Sequence, residues 1–205
     1  MRYINDKKQL KTFFNKSYYN SINYLNYPLR EKKYHNTSKD IINFFKLNPN
    51  DLLLDYGCAI GLLLRGYNSE GFNKVWGYDI SNWAINESKN ITSNTSSNIE
   101  ILNDKTYKLT TALDVFEHMF DEDLDDILKK ISTQTLVLRI PVKLKGDNDF
   151  YLEVSRKDKS HVNCKTQEEW ISFIEGYGFN FKSSLNLPHI YNSKGCFCGY
   201  FIKKS

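Results

Sequence analysis

No uninterrupted apolar run in this chain approaches the ~18 residues of a membrane-spanning helix, and its first residues (Met1, Arg2, Tyr3, Ile4, Asn5, Asp6) contain no apolar leader. A cytoplasmic protein without a membrane span is therefore expected. Cysteine is sparse: Cys58, Cys164, Cys196 and Cys198 lack the paired spacing of a structural zinc site, and no metal is expected. On a strand, Cys196 and Cys198 would share one face, which suits core thiols. At 205 residues, the chain is long enough to bury roughly 70% of its unfolded surface without disulfides, and one domain is expected.

Acidic charge is scarce at the start of the chain. Residues 1–50 hold ten Lys/Arg against three acids, so they carry +7 and the remainder −3. Phe13, Phe14, Tyr18, Tyr19, Tyr24, Tyr27 and Tyr34 are interleaved with these cations. Cations between stacking rings fit a nucleic-acid surface, and a solvated cap helix whose aromatics pack on a sheet fits equally well; the cap is the reading preferred here. Helix is expected to about Tyr27, ahead of Pro28, and a second helix follows, with Thr37 or Ser38 as its cap and Ile41, Ile42, Phe44 and Phe45 as its apolar face.

The chain is organised around residues 51–61, Asp-Leu-Leu-Leu-Asp-Tyr-Gly-Cys-Ala-Ile-Gly. Leu52, Leu53 and Leu54 suit a strand buried on both faces of a parallel sheet, ending at Asp55. Gly57, Ala59 and Gly61 then let the backbone turn sharply and approach a ligand before a helix opens at Leu62. The dinucleotide fingerprint needs a third glycine at the position held by Leu62, and no Gly-Lys-Ser/Thr follows, so dinucleotide and P-loop sites are both excluded. A second strand, Asn73 to Asp79, ends on an acid 22 residues past Gly57, close to the ~20-residue offset at which a doubly wound sheet places a carboxylate against an adenosine ribose. Asp79-Ile80-Ser81 also has the composition of a cap for a helix over Asn82 to Lys89.

Asp55-x-Gly57-x-Ala59-x-Gly61 resembles motif I of the class I S-adenosylmethionine-dependent methyltransferases, with Ala59 where that family often has glycine. The resemblance covers residues 40 to 203. It implies an α/β fold: a doubly wound, mostly parallel seven-stranded sheet with an antiparallel C-terminal strand and an N-terminal helical cap, residues 1–48 forming the lid and 49–205 the core. It implies S-adenosyl-L-methionine as cofactor, held by Asp55, Gly57, Cys58, Ala59, Gly61, Asp79, Ile80 and Asp114, and a lid that presents a tyrosine, with no choice made among Tyr18, Tyr19 and Tyr24.

After a Ser/Thr/Asn-rich loop from Asn90 to Asn98, a short strand is expected at Ile99 to Leu102, and Asn103 or Asp104 stands where related enzymes contact adenine. The strand Lys108 to Val115 leads into Asp114-Val115-Phe116-Glu117-His118, which resembles the segment after strand four of small-molecule methyltransferases. Asp114 and Glu117 equally have capping-box spacing. Leu124, Ile127, Leu128 and Ile131 mark a helix face, and Thr135 to Ile140 a strand ending at Pro141 on the cleft edge. Residues 142–165 form a long polar connection containing His161. A second capping box, Thr166 with Glu169, opens a helix closed by Gly176 or Gly178. Two strands, Asn180 to Leu187 and Gly195 to Lys203, form a C-terminal hairpin.

His118 and His161 are the candidate catalytic residues, because imidazole titrates near neutrality and can take a proton from a hydroxyl or ammonium acceptor. The chain lacks Asn/Asp-Pro-Pro-Tyr after strand four and has no Pro-Cys, which disfavours DNA base methylation. The expected acceptor is an O or N atom of a small metabolite, sugar or lipid-like molecule. The alternative is a non-catalytic module that keeps the cofactor fold to bind a partner, such as nucleic acid, through its basic N-terminus.

Overall fold

Leu53 and Leu54 face opposite ways on strand β1 (Leu53–Tyr56), and the rest of the fold repeats that division. The computed structural model describes residues 4, 6–20, 27–103, 105–190 and 192–204; Tyr24, Asp104 and Tyr191 lie outside these. Strands β2 (Val75–Tyr78), β3 (Thr95–Ser96), β4 (Tyr107–Leu113), β5 (Thr133–Pro141), β6 (Phe179–Ser184) and β7 (Cys196–Lys203) join β1 in one seven-stranded sheet of order β3-β2-β1-β4-β5-β7-β6. β1 to β5 run parallel to one another, and β7 runs antiparallel to both β5 and β6. The expected sheet, with its antiparallel C-terminal hairpin, is the observed one.

The helices are α1 (Lys7–Phe13), α2 (Lys16–Tyr19), α3 (Glu31–Phe45), α4 (Leu62–Ser69), α5 (Asn82–Ser88), α6 (Asp121–Lys130), α7 (Glu153–Lys157) and α8 (Gln167–Glu175). Leu54, Leu136 and Leu138 pack with Leu124 and Leu128 of α6 and Trp170 of α8 on one face of the sheet. Leu53, Leu109 and Val137 pack with Ile41 of α3 and Leu63 and Tyr67 of α4 on the other. Both faces are covered, which is why the parallel strands read as nearly continuous apolar runs.

Four local expectations are corrected. The first helix breaks at Asn15, whose side chain accepts hydrogen bonds from the Ser17 and Tyr18 amides and starts α2 anew. Neither Thr37 nor Ser38 caps α3, which begins at Glu31; both are buried in mid-helix, their hydroxyls donating to the carbonyls of Lys33 and His35. Ser38 is small where α4 crosses, since a Cβ on Gly66 would lie 2.5 Å from its Oγ. Ile99–Leu102 is a 3-10 turn, because the Asn98 side chain accepts from the Glu100 amide; the edge strand is Thr95–Ser96 instead. The polar connection 142–165 contains α7.

No helix among the described residues is long and apolar enough to cross a membrane. The capping box at α8 is present in full: Thr166 Oγ1 accepts from the Glu169 amide at 3.1 Å and Glu169 Oε2 from the Thr166 amide at 2.7 Å. Thr166→Ala is expected to cost about 1 kcal/mol of unfolding free energy, read as a lower urea midpoint at unchanged slope.

Candidate active site

The strand order reverses between β1 and β4, so the connections leaving these strands diverge and open a crevice at their C-terminal ends. A cavity of about 590 Å³ lies there, within the range of small-molecule sites. Its floor at one end is the turn after β1. Gly57 has φ +82°, and a Cβ there would sit 2.3 Å from Val115 Cγ2, so only glycine fits. Ala59 adopts φ 47°, and its amide donates to Asp79 Oδ2 at 2.8 Å while the Ser81 amide donates to Asp79 Oδ1 at 2.8 Å. Both carboxylate oxygens are therefore fixed by backbone donors and each keeps a lone pair. Burial pushes Asp79 up to about 6, against those two hydrogen bonds, leaving it ionised at neutral pH. Tyr56 and Tyr78 stack at 5.0 Å beside it and also line the cavity.

The middle of the cavity is set by Asp114, a non-glycine residue at φ 58° immediately after β4. This backbone conformation is sparsely populated for a side-chain-bearing residue. It is held by the Arg139 guanidinium, which donates to both Asp114 carboxylate oxygens. Burial works against the charge on Arg139, and Asp114, Cys196, Glu117 and Cys198 together outweigh it, so its pKa is raised.

Glu117, His118 and His161 come together at the far end, with ligand atoms all within 4.8 Å of one another. Glu117 does not form a capping box with Asp114: Phe116–His118 is a 3-10 turn without a side-chain cap, and Glu117 turns inward to 1% exposure. The Glu117 carbonyl accepts the amides of Val162 and Asn163, which draws the His161 segment over the turn. Glu117 is pushed well above the carboxylate range by burial and then by Asp114. Burial lowers both imidazoles, and for His161 the neighbouring His118 adds to the effect. Burial also pushes Asp158 up, but His161, His118 and the two hydrogen bonds from Ser160 together outweigh it and hold its carboxyl low.

The aromatic N-terminus closes this cavity. Ser81 Oγ donates to the Phe14 carbonyl at 2.5 Å, Tyr18 Oη donates to Asp158 Oδ2 at 3.4 Å, and the Phe14 ring meets His118 edge-on at 5.3 Å. Tyr19 stacks on Trp83 at 5.2 Å.

Among the sequence candidates, Gly57, Ala59, Asp79, Ile80, Asp114, His118 and His161 line the cavity. Asp55, Cys58 and Gly61 stand behind its wall. Asp55 Oδ1 accepts from Thr111 Oγ1 at 2.7 Å, the Cys58 sulfur packs against Gly77, and Gly61 starts α4 at φ +83°. Arg139 and Asp158 line the cavity without having been singled out as site residues, and Tyr18 and Tyr19, two of the three tyrosines left open, line it as well. Arg139 had a signal, a cation inside the run Leu136-Val137-Leu138-Arg139-Ile140, where burial demands a partner.

A methyltransferase-domain family profile matches residues 30–183. The chain belongs to that family. It is a class I methyltransferase, an enzyme whose cofactor is S-adenosylmethionine. The fold is similar to magnesium protoporphyrin IX methyltransferase from Synechocystis PCC 6803 with bound SAH (TM-score 0.68, 16% identity, 98% of this chain and 100% of that one). It is also similar to an S-adenosylmethionine-dependent methyltransferase from Clostridium acetobutylicum ATCC 824 (0.64, 16%, 85% and 92%). A third similar structure is the plantazolicin methyltransferase BpumL in complex with SAH (0.63, 14%, 97% and 97%). No curated protein matches the methyltransferase in sequence.

Asp55, behind the turn, is pushed by burial from 3.8 up to about 7. Between those values the folded methyltransferase holds a proton that the unfolded chain has released, so this group lowers stability as pH rises through the window and adds nothing further above it. Asp55→Asn keeps an acceptor for Thr111 and cannot ionise. Its stability relative to the parent is expected to be greater at about pH 8 than at about pH 4.5, by a few kcal/mol at most, since each tenfold change in proton affinity is worth ~1.4 kcal/mol. Urea unfolding of both proteins at the two pH values checks this, and a difference that does not change with pH contradicts it.

Proposed function

We propose that the methyltransferase moves a methyl group to an O or N atom of a small metabolite, sugar or lipid-like acceptor, within a single domain whose residues 1–48 serve as lid. The observation that carries this reading is one cavity lined at one end by Gly57, Ala59 and Asp79 and at the other by His118 and His161. The residues present fit the cofactor. The glycine turn lets backbone approach an adenosine, and the lone pairs left on Asp79 match the two hydroxyls of a ribose. Ile80 and the stacked tyrosines offer apolar surface, and Asp114 offers negative charge to a cationic methionine end. S-adenosylmethionine, when bound, supplies a methyl group already activated on a sulfonium.

The chain's own task is therefore alignment and, for a hydroxyl or ammonium acceptor, management of one proton. His118 and His161 face the acceptor; their lowered affinity for protons leaves each imidazole a lone pair at neutral pH. Phe14, Tyr18 and Tyr19 cover the cavity and exclude water. Because these rings turn inward, they are not presented for stacking on bases, which favours the small acceptor over a nucleic acid.

Asp79→Ala is expected to weaken S-adenosylmethionine and S-adenosylhomocysteine about tenfold or more in calorimetric titration, the loss of charge-assisted hydrogen bonds. His161→Ala should lower turnover in an acceptor screen while both cofactor affinities stay at the parent value. Parental cofactor affinity in Asp79→Ala would remove this assignment.

A further inference from the structure

Glu117, His118 and His161 make a cluster that hydrogen bonding does not explain. Glu117 Oε1 lies 3.9 Å from His118 Nε2 and 4.0 Å from His161 Nε2. These separations exceed a hydrogen bond, so three polar atoms face one another across a gap. All three side chains are buried, at 1%, 10% and 10% exposure. Glu117 Oε2 is buried with no hydrogen-bond partner among the described residues. Withdrawing a carboxylate and two imidazoles from water without joining them costs free energy that some further contact must offset.

The surrounding bonds already fix one imidazole. His118 Nδ1 lies 3.2 Å from the Ser160 carbonyl, which only accepts, and 3.0 Å from Ser160 Oγ. That hydroxyl spends its own hydrogen on Asp158 Oδ1 at 2.5 Å, so it too accepts from Nδ1. Nδ1 therefore carries the hydrogen, and Nε2 presents a bare lone pair toward Glu117. An imidazole oriented through its other nitrogen by a carbonyl and a carboxylate-bound hydroxyl is the arrangement found behind metal-ligating histidines. His161 Nε2 has a second carboxylate near it, Asp158 Oδ2 at 3.9 Å.

We infer that Glu117, His118 and His161 hold one divalent first-row transition-metal cation, whose remaining coordination positions open into the cavity and take the oxygen of a hydroxyl acceptor. Two imidazole nitrogens and one carboxylate oxygen suit such a cation, and three protein ligands beside an open cavity are the plan of a catalytic rather than a structural site. Closing the shell to ligand distances of ~2.0–2.2 Å needs small inward rotations of the three side chains. The acceptor assignment rests on the methyltransferase reading above and narrows it to oxygen. A cation acidifies a bound hydroxyl and so takes over the proton management that the two imidazoles would otherwise perform, their lone pairs now being ligands: the O–H bond breaks with its electron pair left on oxygen, and the proton passes to water at the cavity mouth. It would instead occupy the lone pair that an amine needs for attack.

The test uses the full chain after chelator treatment, titrated with cobalt(II) followed by visible d–d absorption and with manganese(II) followed by electron paramagnetic resonance. Saturation at one equivalent is expected, lost in His161→Ala and Glu117→Gln and weakened about tenfold in Ser160→Ala. Calorimetry with S-adenosylmethionine on the same variants reports that they are folded and that the cofactor end is intact. Cofactor binding without stoichiometric cation binding overturns the metal site and leaves the methyltransferase reading standing. Cation binding undiminished in both ligand variants also overturns it. Stoichiometric binding lost in those variants supports the site, even in a preparation that binds no cofactor; that result would instead remove the proposed transfer.

Discussion

Everything at the functional end of this methyltransferase depends on β1 and β4 lying side by side and parallel while their outgoing connections diverge. Parallel strands end with their last peptide groups at one edge of the sheet, and between two diverging crossovers nothing covers them. The turn after β1 and the turn after β4 therefore face each other across the crevice. Each contains a backbone conformation with positive φ: Gly57 and Ala59 in the first, Asp114 in the second. The two turns touch directly, because Val115 occupies the space that a side chain on residue 57 would need. A change in one turn is thus a change in the other.

Buried charge is organised from the same edge. Asp79 is tied to the first turn through backbone donors, Asp114 to β5 through Arg139, and Glu117 carries the loop of His161 on its carbonyl. The ends of β2 and β4 and the turn beyond β4 therefore contribute an acid each, and each acid meets a different environment. Asp79 and Asp114 are satisfied by donors. Glu117 is the exception, with a buried oxygen that no hydrogen-bonding group among the described residues satisfies.

The aromatic segment that lines the cavity shows how composition misleads without tertiary context. Cations interleaved with aromatics belong equally to a nucleic-acid surface and to an amphipathic cap. Tyr18 and Tyr19 are buried among Ala59, Leu62 and Ala84, so the rings serve the cavity, while Lys8, Lys11 and Lys16 stay exposed. Two separate hydrogen bonds, Ser81 to the Phe14 carbonyl and Tyr18 to Asp158, tie this aromatic segment to both ends of the site at once.

Most of the strands, the glycine turn and the acid after β2 were legible in the sequence alone, because each is written in local chemistry, while the sheet that joins them was implied by the family resemblance. Apolar runs of strand length, residues that tolerate positive φ, and a fixed offset between turn and acid need no distant partner to be recognised. The capping box at Thr166 was legible for the same reason. What only the tertiary structure decided are the assignments in which one residue type has two uses. Glu117 had capping spacing and became a buried member of a cluster; Thr37 and Ser38 had cap chemistry and are buried in mid-helix, Ser38 as the small residue where α4 crosses. Asp55 belongs to the motif and stands behind the wall, whereas Arg139 and Asp158, remote in sequence, reach the cavity. Local pattern fixes the backbone path, but which side chains share a buried volume depends on contacts between segments far apart in the chain, and the energy of a buried charge depends wholly on that company.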